Sequence, residues 1–282
     1  YSYFGNGDEA HMAYQFALPP LLLHALQTGT SKYLAGWASA LPDLPAGCTA
    51  LNFTASHDGI GVRPLQGLLP DDEIRTLVER VRTLGAQVST RKNSDGSDSP
   101  YELNITYFDA MRGAADPDPF QVQRFMCSQI IPMVLKGIPA VYIHSLTATP
   151  NDVEGVRRTG RARSINRRKW TQSELDDALK DKTSSAARVF GEYGRLLRLR
   201  AAHPAFHPDG GQKVLDLGQS VFAVERTSPD ATETVLAISN CTGQPVLVPI
   251  EERDRTDLIL NKKPERVGNT IRLDPYQSVW LT

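Results

Sequence analysis

Apolar and polar positions follow two different patterns along the chain. Up to about residue 202, short apolar runs alternate with longer segments in which apolar residues recur at helical spacing. This alternation predicts parallel strand–helix–strand units of an α/β fold. Beyond residue 206, short β-type runs follow one another between Gly, Pro, Asn and Asp, which predicts a small antiparallel β domain. We therefore expect an α/β part over residues 1–206 and an all-β domain over residues 207–282.

The same pattern places the individual elements. In the first part we expect strands in AHMAYQF, ALNFTA and IPAVYIH, and helices in LPPLLLHALQTG, DDEIRTLVERVRTLG, PFQVQRFMCSQIIPMVLKG and VFGEYGRLLRLRAAHPAF. Pro in a first turn, acidic residues at a start and Gly at an end support these helix bounds, and Pro132 predicts a kink. In the second part the predicted strands are KVLDL, SVFAVERT, TVLAISN, PVLVPI, DLILN and SVWL. Two long polar segments, TRKNSDGSDSPYELN and TATPNDVEGVRRTGRARSINRRKW, are expected to be functional loops.

Composition excludes several kinds of partner. The 31 basic and 32 acidic residues leave a net charge of −1, so charge gives no reason to expect nucleic acid. The three cysteines are far apart and lack metal-ligand spacing, which favours reduced thiols in a cytoplasmic protein and no metal site. No apolar run approaches the ~20 residues of a membrane-spanning helix. The chain begins at Tyr1 without an initiator Met or a signal-peptide pattern, so we expect it to be part of something longer.

An imidazole and a carboxylate stand side by side where the second predicted strand ends. The apolar run over residues 51–55 stops at Ser56, His57, Asp58 and Gly59. In parallel α/β folds the loops at the carboxyl ends of strands bind ligands. A turn in which Asp58 only caps the next segment is the simplest alternative. A hydrolytic triad lacks its G-x-S-x-G elbow and a metal site lacks H-E-x-x-H, whereas a carboxylate suits the oxocarbenium-like transition state of sugar chemistry.

Five segments carry a resemblance to a known family. TASHDGIGV, FALPPLLLHAL, SPYELN, GIPAVYIHSL and GRARSINRRKW together resemble the sucrose phosphorylase group of the α-amylase family of glycoside hydrolases. The resemblance implies a (β/α)8 barrel followed by a C-terminal β domain. On that alignment AHMAYQF, ALNFTA and IPAVYIH are similar to strands six, seven and eight, so the chain resembles the C-terminal part of a barrel and its trailing domain.

The resemblance also implies roles around the glucosyl ring. Asp58 would be the carboxylate that stabilises the transition state, and His57 would hydrogen-bond sugar hydroxyls. Arg163 matches an arginine that holds the same ring. Asn166 would support the loop that carries Arg163, the alternative being a solvated basic loop without a role in binding.

Two further residues match a loop that borders the phosphate and acceptor site. These are Tyr101 and Glu102, in the segment YELN, where sucrose phosphorylases resemble YQVN. Glu in place of Gln removes two hydrogen-bond donors and adds a negative charge, which alters what can be bound there. This departure argues against fructose as acceptor, and phosphorylases of glucosylglycerate and related glucosides resemble the chain more closely.

The resemblance does not supply a complete catalytic set. A retaining enzyme uses a carboxylate nucleophile and a separate general acid, which this family places after strands four and five, upstream of Tyr1. Arg272, Leu273 and Asp274 superficially resemble the nucleophile motif, but Pro275 follows and the segment is expected to be a strand edge of the β domain. Glu102 and Glu154 lie on loops that the family does not use for the acid.

Two classes of function are therefore expected from the sequence, an enzyme of this family and a carbohydrate-binding fragment without activity. The first is a retaining phosphorylase that transfers glucose from an α-glucoside of sucrose or glucosylglycerate type to inorganic phosphate, without a cofactor and without contact to nucleic acid or membrane. In it the chain supplies the stabilising and substrate-holding groups but not the reacting pair, and its partner is the N-terminal part of the barrel or a second copy. The alternatives are a hydrolase or transglucosidase of the same family, or a catalytically incomplete carbohydrate-binding fragment.

Overall fold

The structure is a computed structural model that describes residues 2–115, 117–250 and 254–282, so Tyr1 lies outside the described residues. Its α-helices are α1 (Leu18–Thr28), α2 (Lys32–Ser39), α3 (Asp71–Thr83), α4 (Tyr107–Ala110), α5 (Gln121–Val134), α6 (Ile143–Leu146), α7 (Val153–Thr159), α8 (Gln172–Lys180) and α9 (Ser185–Ala202). Its strands are β1 (Met12–Tyr14), β2 (Thr49–Phe53), β3 (Ile60–Gly61), β4 (Gln87–Lys92), β5 (Asp98–Asn104), β6 (Ile138–Ala140), β7 (Gly211–Leu215), β8 (Val221–Thr227), β9 (Thr234–Asn240), β10 (Val246–Pro249), β11 (Arg266–Val267), β12 (Thr270–Leu273) and β13 (Ser278–Leu281).

The three strands predicted in the first part form one parallel sheet. β2 lies in the middle, with β1 and β6 parallel to it on either side. This confirms an α/β arrangement with parallel pairing. The third strand is shorter than predicted, because it ends at Ala140 and α6 follows. There the amides of Ser145 and Leu146 bond the carbonyl of Tyr142, so the chain satisfies its backbone locally instead of continuing the ladder.

The predicted helices are confirmed, and their ends follow the expected signals. α1 has Pro19 and Pro20 in its first turn and ends at Gly29, whose φ of 76° is left-handed and suits glycine. α3 begins with three acidic residues, as the helix dipole favours. α5 contains Pro132 and ends two residues later, and α9 is capped by the Ser184 hydroxyl, which accepts from the third helical amide.

The loop prediction is wrong for both long polar segments. Residues 87–104 form a hairpin in which β5 pairs antiparallel with β4 on one side and with β3 on the other. Its tip is closed by hydrogen bonds of Asn93 with Ser97. The second segment contains α7, capped by the Asp152 side chain, and a short 3₁₀ helix over Ala162–Asn166.

The β domain contains two antiparallel sheets. Strands β13, β9, β8 and β7 form one sheet in that order, and β10, β12 and β11 form the other. Their facing apolar side chains make a small core, which includes Val221, Ala223, Ile238, Val248, Ile271 and Leu273. The other face of the four-stranded sheet joins the large core with α5 and α9, where Phe206 packs on Trp280. The boundary at residues 206/207 stays a prediction.

Two short segments of the β domain form a turn and a strand end. DLILN is not a strand, because the Asp257 carboxylate accepts the amides of Ile259 and Trp280 and folds the segment into a turn. Arg272 and Asp274, from the segment that resembles a nucleophile motif, lie at the end of β12 and pair with each other at 2.7 Å. None of the described helices is long and apolar enough to cross a membrane.

Candidate active site

The carboxyl ends of the three parallel strands open onto one cavity of about 500 Å³. The lining includes Phe16 after β1, residues 54–56 and Asp58 after β2, and Tyr142 and His144 after β6. The β3–β5–β4 sheet supplies another wall with Ile60, Gly61 and Glu102. The cavity therefore lies where α/β folds place their ligand sites.

Arg163 connects the two carboxylates of this cavity. Its Nη1 lies 2.6 Å from Asp58 Oδ1, while its Nε and Nη2 donate to Glu102 Oε2 at 3.2 and 3.1 Å. The Glu102 hydrogen bond, with the negative charges of Glu102 and Asp58, raises the pKa of Arg163 above its ordinary value. Arg167 adds a second, longer contact of 3.4 Å to Asp58 Oδ1. The arrangement keeps a fixed cation between two acidic side chains.

Glu102 is buried, with only 5% of its surface exposed. Its Oε1 accepts the backbone amide of Gly59 at 2.6 Å, and its Oε2 accepts from Arg163. The sequence placed Glu102 at the border of an acceptor site. The structure shows in addition that its carboxylate joins the turn that carries Asp58 to the arginine that contacts Asp58.

Gly59 is required by close approach rather than by its backbone angles. A Cβ at this position would lie 2.6 Å from the carbonyl oxygen of Leu103 and 2.7 Å from Cγ of Glu102. The turn is therefore pressed against β5, where Ile60 pairs with Leu103. This contact explains why glycine follows the His-Asp pair.

The 3₁₀ helix over Ala162–Asn166 supports the same turn. Asn166 is buried, and its Nδ2 donates to the carbonyls of Ser56 and Asp58 at 3.3 and 2.7 Å. Arg167 Nε donates to the carbonyl of His57 at 2.6 Å. This basic segment therefore fixes the backbone of the turn through the carbonyls of Ser56, His57 and Asp58.

The structure brings five of the six predicted site residues to the cavity. Asp58, Tyr101, Glu102, Arg163 and Asn166 line it, and Tyr101 is 41% exposed. His57 does not line the cavity. Its side chain is 71% exposed and its Nε2 lies 3.6 Å from Asp58 Oδ1, so it stands beside the network.

The sequence prediction missed the residues that follow β6. His144 Nδ1 hydrogen-bonds Thr149 Oγ1, and burial together with the charge of Arg168 lowers the pKa of the imidazole. Tyr142 donates its hydroxyl to the carbonyl of Asn166 at 2.8 Å, and burial raises its pKa. Both residues were read as part of a strand, and only their position at a strand's carboxyl end could have indicated a site.

Comparison with known proteins gives the following relationships. No protein-family model matches the chain. It is 40% identical to glucosylglycerate phosphorylase of Escherichia coli (strain K12), over 99% of this chain and 50% of that protein. It is 34% identical to sucrose phosphorylase of Bifidobacterium adolescentis, over 64% of this chain and 36% of that protein. The crystal structure of sucrose 6F-phosphate phosphorylase from Thermoanaerobacter thermosaccharolyticum matches with a TM-score of 0.71 and 21% identity, over 96% of this chain and 49% of the other.

These relationships confirm the resemblance carried by the sequence motifs. Over nearly its whole length the chain is homologous to the glucosylglycerate phosphorylases, and it is also homologous, at lower identity, to sucrose phosphorylases. Its α/β fold is shared with the phosphorylase structure. The chain spans about half the length of the curated relatives that it matches.

Proposed function

We propose that the protein is a retaining glycoside phosphorylase that transfers a glucosyl unit from an α-glucoside to inorganic phosphate and forms α-glucose 1-phosphate. The observation that carries this proposal is the Arg163 bridge between Asp58 and Glu102 at the carboxyl ends of parallel strands, in a chain 40% identical to a glucosylglycerate phosphorylase. Phosphate acts as a substrate, so no cofactor is needed.

In this reaction Asp58 stabilises the transition state. Positive charge develops at the anomeric carbon, and a carboxylate fixed beforehand stabilises it without reorganising. Arg163 and Arg167 both contact Oδ1, and within the described residues Oδ2 has no hydrogen-bond partner. Oδ2 is thus the oxygen available to the sugar. Arg163 contacts Asp58 and also holds the glucosyl ring. His57 binds sugar hydroxyls from its exposed position beside Asp58.

The nucleophile and the general acid come from a part of the protein outside these 282 residues. Among the described residues, the cavity lining contains two carboxylates, Asp58 and Glu102. Glu102 accepts hydrogen bonds on both oxygens and is committed to positioning. The strands β1, β2 and β6 correspond to strands six, seven and eight of a (β/α)8 barrel. Their order and parallel pairing support this assignment, and the remaining strands would close the barrel between the outer edges of β1 and β6.

Glucosylglycerate is the preferred type of substrate over sucrose. Three glucosylglycerate phosphorylases are 38–40% identical to the chain, whereas three sucrose phosphorylases are 27–35% identical to it. Glu102, where sucrose phosphorylases have Gln, adds a negative charge beside Tyr101 at the border of the acceptor site. A reducing, cytoplasmic setting fits the free, buried cysteines.

The test is the dependence of product on phosphate. The complete protein is incubated with glucosylglycerate or with sucrose, with and without inorganic phosphate. We expect α-glucose 1-phosphate only when phosphate is present. Free glucose without the sugar phosphate would instead identify a hydrolase, a transferred glucosyl on another sugar would identify a transglucosidase, and binding without turnover would identify a carbohydrate-binding fragment.

A further inference from the structure

One cation in the cavity lining stands outside the Asp58–Arg163–Glu102 network. Arg63 lines the cavity, is exposed, and begins a short 3₁₀ helix over Arg63–Leu65 directly after β3. Within residues 2–115, 117–250 and 254–282, no side chain forms an ion pair or hydrogen bond with its guanidinium. An arginine in a ligand cavity without an internal partner is free to bind an anion.

The charges around the cavity leave Arg63 uncompensated. The negative side chains of Asp58 and Glu102 both contact Arg163, and Asp58 also contacts Arg167. These two acids and two arginines balance. Burial lowers the pKa of His144, so its imidazole adds no charge at neutral pH. Among the described residues, Arg63 is therefore the charged side chain of the cavity lining that has no opposite charge in contact with it.

Arg63 lies on a different element from the groups proposed to hold the glucosyl ring. The amide of the preceding residue, Val62, donates to the carbonyl of Tyr101 at 3.1 Å, so Arg63 stands next to Tyr101 on the antiparallel wall. Tyr101 is the residue expected to border the acceptor. Asp58 lies on the turn after β2, and Arg163 lies on the 3₁₀ helix that packs against this turn. Its neighbourhood to Tyr101 assigns Arg63 to the part of the cavity that takes the leaving group in the proposed reaction.

We propose that Arg63 binds an oxyanion in the leaving-group part of the cavity and selects glucosides whose leaving group carries a carboxylate. The proposal rests on the proposed function and names the feature of the substrate that the protein recognises. A guanidinium fork matches a carboxylate with two parallel hydrogen bonds, whereas a neutral leaving group leaves it unpaired. Inorganic phosphate has the same chemistry and approaches the same face of the sugar in a retaining reaction. The experiment therefore separates the two sources.

The experiment runs the reaction backward from α-glucose 1-phosphate in the complete protein. The acceptors are D-glycerate and glycerol, which differ in the carboxylate. The variants are Arg63→Gln, Arg63→Lys and, as a matched control, Arg75→Gln. Arg75 is exposed on α3, does not line the cavity and has no partner among the described side chains. The KM for phosphate is measured in the forward direction, and titration calorimetry measures binding of glycerate and of inorganic phosphate.

We expect Arg63→Gln to lower kcat/KM for glycerate about ten- to hundredfold, because a hydrogen bond to a charged group is lost. The kcat/KM for glycerol should stay unchanged. Arg63→Lys should keep part of the preference for glycerate over glycerol, and Arg75→Gln should keep all of it. A rise in the KM for phosphate at an unchanged glycerate-to-glycerol ratio would assign the oxyanion to phosphate. An unchanged ratio with unchanged phosphate binding, or an equal loss in Arg75→Gln, would overturn the proposal. If the wild type shows no phosphorolysis, the proposed function fails, and the calorimetric comparison still decides whether Arg63 binds the anion.

Discussion

Replacing Glu102 with Gln tests whether this buried carboxylate positions the site. The amide keeps the shape of the side chain but can accept through only one atom. If its oxygen keeps the Gly59 amide, its NH₂ group faces the donors of Arg163, which now lie 3.1 and 3.2 Å from a carboxylate oxygen. A hydrogen bond to a charged group contributes about 1.5–3 kcal/mol. Because the Arg163 side chain is 44% exposed, solvent screens part of this interaction. We therefore expect the free energy of unfolding to fall by about 2 kcal/mol.

The assay is urea unfolding of the complete protein, with steady-state kinetics on the same preparation. Glu154→Gln is the matched control, since it removes one carboxylate from an exposed Glu–Arg pair at 2.5 Å, with both side chains 72% exposed. Such pairs contribute about 0–1 kcal/mol. We expect Glu102→Gln to lower stability clearly more than the control does and to raise the KM for the glucoside about tenfold, because Arg163 loses its anchor. Equal effects of the two variants on stability and KM would refute a positioning role for Glu102.

Three further predictions concern the same site. Asp58→Asn should lower kcat about 10²–10³-fold with an unchanged circular dichroism spectrum, because the amide cannot stabilise developing positive charge; activity within a few-fold of wild type would remove Asp58 from that role. Gly59→Ala should destabilise by about 1–3 kcal/mol in chemical unfolding, since its Cβ meets Leu103 O at 2.6 Å; an unchanged midpoint would show that the turn has room. His144 has its pKa lowered from 6.5, so only the unfolded chain takes up its proton just below that pH, and stability falls as the pH falls through 6.5. His144→Gln should flatten this fall in thermal unfolding, and an unaltered slope would assign it to other groups.

The sequence predicted best those elements whose apolar pattern and end signals agree. α1 and α3 have Pro or acidic residues at the start, a helical apolar stripe and a glycine close behind the end. The hairpin of β4 and β5 gave no such signal, because most side chains of Gln87–Lys92 are polar and the strand exists through its pairing with β5. DLILN looked like a strand, but one buried carboxylate folds it into a turn. Both failures come from contacts that the apolar pattern of a segment does not encode.

The candidate site, too, could be predicted from the sequence only in part. A carboxylate at a strand's carboxyl end was a sound prediction for Asp58, because topology brings such ends together. The bridge from Arg163 to Asp58 joins residues 105 positions apart, and no local pattern encodes it. The sequence placed Glu102 on a loop at the border of the acceptor site, whereas pairing of β5 with β3 buries it beneath Gly59. That Arg63 has no partner could be recognised only after the other charged side chains of the same cavity, Asp58, Glu102 and Arg163, were seen to pair with one another.

The most direct measurement of the central claim is nuclear magnetic resonance of the first product formed by the complete protein from glucosylglycerate and phosphate. We expect the phosphorus and anomeric proton signals of α-glucose 1-phosphate from the first turnovers, and their loss in Asp58→Asn. Formation of β-glucose 1-phosphate, or of free glucose at a rate independent of phosphate, would contradict the account.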